Sequence, residues 1–66
     1  MRIVVNGEDR SIPDGATVLA LLHSLGIEPK RIAVEVNGRV VSSREHDGLT
    51  LKERDRIEIV QFVGGG

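Results

Sequence analysis

The group in this chain best placed to do chemistry is not a side chain. Three glycines, Gly64, Gly65 and Gly66, close the sequence, and the last would carry the α-carboxylate. Glycine has nothing to bury, and inside a regular element it is roughly 0.5–1 kcal/mol less favourable than alanine. The run therefore adds nothing to a core. It does let another surface approach the backbone closely. Three extended residues reach on the order of 10 Å, enough to enter a narrow active site and present a carboxylate there. Other candidates are weaker. His23 falls on the polar side of a helical pattern near its end, where a solvated surface role is expected. His46 beside Asp47 resembles a fragment of an acid–base pair, but neighbours within one loop make a poor catalytic constellation, and a structural role is expected. Two isolated histidines lack ligand spacing, so no metal site is expected. There is no cysteine, hence no thiolate nucleophile, no thiolate metal ligand and no disulfide. No catalytic side chain is assigned.

Composition narrows the classes further. The chain has 66 residues, one domain at most, with a core built from Val, Ile and Leu. Nine basic against ten acidic residues leave a formal net charge of −1. That balance lays down no footprint for nucleic acid and no polybasic membrane patch. Phe62 is the only aromatic residue, which argues against base-stacking recognition of single strands. No apolar run is long enough to span a bilayer, and the start shows no signal-peptide pattern. A cytoplasmic protein, monomeric when alone, is the expectation.

The elements that must carry the glycine tail can be read in order. Residues 2–5 are β-branched and predict a strand; Asn6-Gly7 is a two-residue hairpin signal, and the chain returns from Glu8 to Ile12. Pro13-Asp14-Gly15 ends that strand. Thr17 is a plausible N-cap, and Val18, Leu21, Leu22 and Leu25 recur at helical spacing, leaving Ala20, His23 and Ser24 opposite. Gly26 fits the left-handed position after a helix, with Ile27 folding back on Leu22. Ile32–Val36 predicts a third strand, with Val34 and Val36 on one face and Glu35 on the other. Asn37-Gly38 signals a second hairpin into a short strand from Arg39 to Ser42. Residues 43–50 are polar and irregular, Leu51 returns to the core, and 52–56 form a charged turn. Ile57 to Val63 predicts the longest strand. In it Ile57 and Ile59 face the helix, and Val60 and Phe62 face away.

This order, β-β-α-β-β-β, specifies an α+β fold with one helix packed on a mixed sheet of about five strands. Setting the last strand beside the first gives a parallel central pair, the β-grasp (ubiquitin-like) arrangement. The pattern alone leaves that placement open. Residues 1–63 then form a single domain, and 64–66 a flexible tail. Val60 and Phe62, an aliphatic–aromatic pair beside the tail, are the expected partner interface.

The chain resembles the ThiS family, the sulfur carrier proteins of thiamine biosynthesis, over essentially its whole length. The resemblance rests on Ile3-Val4-Val5-Asn6-Gly7, Thr17-Val18 with Leu21-Leu22, and Ala33-Val34-Glu35-Val36-Asn37-Gly38. It continues through Glu45-His46 and Asp55-Arg56-Ile57-Glu58-Ile59-Val60 into Phe62-Val63-Gly64-Gly65-Gly66. Two positions depart from the family pattern. Ser42-Ser43 stands where a Pro-Arg pair is common, and Glu53-Arg54-Asp55 where Asp-Gly-Asp is common. Arg54 in a glycine position is expected to alter or mildly strain that turn.

The resemblance implies a protein cosubstrate rather than an enzyme. The Gly66 carboxylate would be adenylated by a ThiF-type adenylyltransferase using ATP and Mg²⁺ bound in that partner, with no cofactor on this chain. A persulfide donor, such as a cysteine desulfurase, would then supply sulfur. The C-terminal thiocarboxylate would deliver it to thiazole synthase. Three alternatives stay open at this point: the small subunit of molybdopterin synthase, a noncovalent β-grasp binding module, and a lysine-conjugated modifier.

Overall fold

The computed structural model describes residues 1–62; Val63, Gly64, Gly65 and Gly66 lie outside the described residues. Five strands and one helix follow the predicted order: β1 (Arg2–Val5), β2 (Glu8–Ser11), α1 (Val18–Ser24), β3 (Ile32–Val36), β4 (Arg39–Val41) and β5 (Arg56–Gln61). A 3₁₀ turn, Ser43–Glu45, interrupts the long connection before β5. The sheet order is β2-β1-β5-β3-β4. β1 and β5 pair in parallel at its centre, with Val4 opposite Arg56 and Val5 opposite Ile57. All other pairs are antiparallel. This is the β-grasp arrangement.

Burial explains why β5 takes the centre. Alternation along β1 and β5 sends Ile3, Val5, Ile57 and Ile59 to one face, where they meet Val18, Leu21 and Leu22 of the helix, Val34 of β3 and Leu51. Each such side chain contributes roughly 1.5–3 kcal/mol when fully buried. A β5 at an edge would leave Ile57 and Ile59 without the helix above them.

Both Asn-Gly pairs adopt positive φ at each residue, 49° and 82° at Asn6-Gly7 and 53° and 83° at Asn37-Gly38, as tight hairpins with the right-handed strand twist require. The helix ends as its glycine predicts. Ile27 N–H donates to Leu22 O at 2.9 Å and Gly26 N–H to His23 O at 3.1 Å, the two bonds of a Schellman motif, with Gly26 at φ 71°.

A helix of seven residues is too short to persist alone in water. Its start is held from three sides. Thr17 Oγ1 accepts from Ala20 N–H at 3.1 Å, Leu49 O from Val18 N–H at 3.0 Å, and His46 O from Leu19 N–H at 2.8 Å. The first three helical donors, which no helix can satisfy internally, are thus all met. Residues 43–50 were expected to be irregular connection; they also cap the helix. That task draws His46 inward to 4% exposure, and neither ring nitrogen has a hydrogen-bond partner among the described residues. The ring occupies a structural position, as does the backbone carbonyl behind it.

The strands end slightly short of the expected limits. Ile12 and Ser42 lie just beyond β2 and β4, Arg56 joins β5, and Phe62 follows its last residue.

Candidate functional site

The site is built on β5, the strand that leads toward Gly64, Gly65 and Gly66. Those three glycines, on which the proposed chemistry falls, lie outside the described residues. The structure describes the platform they leave from.

Two asparagine side chains hold that platform, neither anticipated beyond its turn. The parallel ladder runs through Val4 N–H to Asp55 O and Asn6 N–H to Ile57 O, each at 2.9 Å. The chain then turns away at Gly7, and the Asn6 amide takes the place of the next backbone unit. Its Oδ1 accepts from Ile59 N–H at 2.7 Å and its Nδ2 donates to Ile59 O at 3.2 Å. At the start of the strand, Asn37 Oδ1 accepts from Arg56 N–H at 2.9 Å, and Asn37 Nδ2 donates to Asp55 Oδ1 at 2.9 Å. One residue type thus serves two needs, since asparagine tolerates positive φ and carries an amide that pairs like backbone. At the far end Phe62 N–H donates to Arg31 O at 2.8 Å, which continues the β3–β5 pairing up to the last described residue.

The sheet face away from the helix is uncovered. Val60 and Phe62, the two residues expected there, are 54% and 58% exposed, and Val40 on β4 is 67% exposed. Val40 was missed, although the signal existed: Val41 is buried, so its neighbour must point the other way. Ala33, opposite Val60, is half-buried. Beyond this apolar end, Glu58 of β5 lies directly opposite Glu35 of β3, and Val40 flanks Glu35 on its other side. Toward the start of β5, Arg2, Arg54 and Arg56 line a shallow concavity together with Val4, Asp9 and Glu53. Along β5 the open face is therefore apolar around Val60 and Phe62, acidic at Glu58 and Glu35, and of mixed charge beyond them.

His23 is exposed and far in sequence from any of these groups. Among the described residues no three His, Asp or Glu side chains come together in a way that could hold a metal ion. No described helix is long and apolar enough to cross a membrane. The turn at Glu53-Arg54-Asp55 shows the strain expected of its arginine: Arg54 sits at φ 70°. Its N–H donates to Arg2 O at 2.7 Å, which locks the turn against the start of β1.

A fold of this kind carries many functions, so the decision rests on closer likeness. The ThiS family model matches residues 3–66, the glycine run included. The chain belongs to the ThiS family. The Bacillus subtilis protein named sulfur carrier protein ThiS is 40% identical over 63 residues, covering 94% of this chain and 96% of that one. The crystal structure of a thiamine biosynthesis protein (ThiS) from Geobacter metallireducens superposes with a TM-score of 0.86 at 32% identity, covering 100% of both chains. A third relative differs in size. The thiazole synthase of Magnetococcus marinus is 44% identical over 66 residues, which are 100% of this chain and 20% of that protein. The ThiS-like chain thus spans only a fifth of the thiazole synthases it matches.

Proposed function

We propose that this chain is a sulfur carrier of thiamine biosynthesis, acting as a protein cosubstrate through the carboxylate of Gly66. The observation that carries the reading is the family match across residues 3–66, with the terminal glycines inside it. The platform supports it. β5 is anchored at the sheet centre by backbone pairing on both sides and by Asn6 and Asn37, so a tail leaving it starts from a fixed point.

The chemistry follows from what a carboxylate lacks. Oxide is a poor leaving group, so the carboxylate must be activated before sulfur can enter. In the proposed sequence Gly66 attacks the α-phosphate of ATP in an adenylating enzyme of the ThiF type, which supplies the Mg²⁺ site; an acyl-adenylate forms and pyrophosphate leaves. The terminal sulfur of a persulfide, from a cysteine desulfurase or a relay protein, attacks the acyl carbon and AMP departs. Thiol reduction of the resulting acyl disulfide leaves the thiocarboxylate. Thiazole synthase then receives the sulfur. The occurrence of a ThiS-like segment within thiazole synthase chains supports that partner. Val60 and Phe62 would dock against partner enzymes beside the tail.

The test is the intact mass of the chain after incubation with the adenylating enzyme, MgATP and a persulfide source. A gain equal to the difference between sulfur and oxygen, confined to the C-terminal peptide and abolished by deleting Gly66, is expected. No gain, with the enzyme active on another ThiS protein, overturns the reading.

A further inference from the structure

The acidic band does not serve the fold. Glu35 and Glu58 are direct Cα partners in the β3–β5 ladder and project from the same open face. Like charges directly opposite one another in a sheet are destabilising, and an opposite-charge pair would stabilise instead. The chain has nine Lys and Arg residues, yet among the described residues the ion pairs are Met1 amine with Asp14 and Arg10 with Glu8. Among the described residues neither Glu35 nor Glu58 has a cation at ion-pairing distance. The repelling pair lies in one row with exposed Val40 and one row from exposed Val60.

We propose that Glu35 and Glu58 together form the recognition element for a cationic side chain of thiazole synthase, seated while Val40, Val60 and Phe62 cover apolar surface of the same partner. This rests on the sulfur-carrier reading. Two carboxylates on neighbouring strands can share one guanidinium, whose planar fork of donors suits that geometry. The repulsion that strains the free carrier is relieved in the complex, so the element contributes more to binding than to folding. Thiazole synthase is chosen as the occupant because a segment matching this whole chain is carried within thiazole synthase chains.

The experiment uses the full chain as Glu35→Gln, Glu58→Gln and the double variant, with Glu28→Gln as an exposed control outside the face. Affinity for thiazole synthase and for the adenylating enzyme is measured separately across a salt series, with thermal midpoints and sulfur loading on the same samples. The double variant is expected to lose about tenfold or more in affinity for thiazole synthase and most of its salt dependence. It should still load sulfur, and its midpoint should rise by roughly 1–4 °C as the repulsion is removed. Unchanged affinity for thiazole synthase, a loss confined to the adenylating enzyme, or a fall in the midpoint overturns the proposal. If the unaltered chain takes up no sulfur, the carrier reading itself fails. If it loads sulfur but does not bind thiazole synthase, only the docking proposal falls.

Discussion

The two faces of the sheet follow opposite rules. On the helix side, Ile3, Val5, Val34, Ile57 and Ile59 are buried, and every one of those positions is accounted for by removal of apolar surface from water. On the open side, Val40, Val60 and Phe62 remain exposed, and two carboxylates face each other across adjacent strands. Nothing in the stability of the domain calls for that second arrangement. The docking proposed above would account for a small fold that keeps apolar side chains in water and sets like charges together.

The sharpest way to break this contrast is to substitute on each face. Leu22→Ala on the helix should lose about 2–5 kcal/mol in chemical denaturation, a large share of what a domain this small possesses. Val60→Ser and Phe62→Ser should each stay within about 0.5 kcal/mol, while weakening partner binding. A Val60→Ser loss as large as that of Leu22→Ala would show that the open face is part of the core after all.

Next in size is the clamp on β5. Asn6→Gly preserves the turn's positive φ but removes both amide bonds to Ile59, and should cost about 1–2 kcal/mol with faster amide exchange at Ile59. Unaltered exchange there would mean that backbone pairing alone fixes the strand. The smallest effect is expected at the strained turn. Arg54→Gly relieves the positive φ, offset in part by glycine's freer unfolded chain, and should raise stability by about 0.5–1 kcal/mol. A loss instead would point to the arginine side chain, not its backbone, as the contributor.

Much of this was legible in the order of residues because it is local. Asn-Gly pairs set hairpins through φ, Thr17 and Gly26 bound the helix through its end groups, and period-2 and period-3.6 patterns sort core from surface. The glycine run and the long strand before it were likewise evident, whereas Arg54 stood out as a misfit only through the family resemblance. Other features depend on residues far apart in the chain. That β5 lies between β1 and β3 follows from covering Ile57 and Ile59 with the helix, a condition on the whole core. The Asn6 amide meets Ile59 across 53 positions, and the His46 and Leu49 carbonyls meet a helix start more than 25 residues earlier. Glu35 and Glu58 are each unremarkable alone. Pairing register made them neighbours, because a contact between strands is set by which hydrophobic faces must be buried together, and no local rule records it.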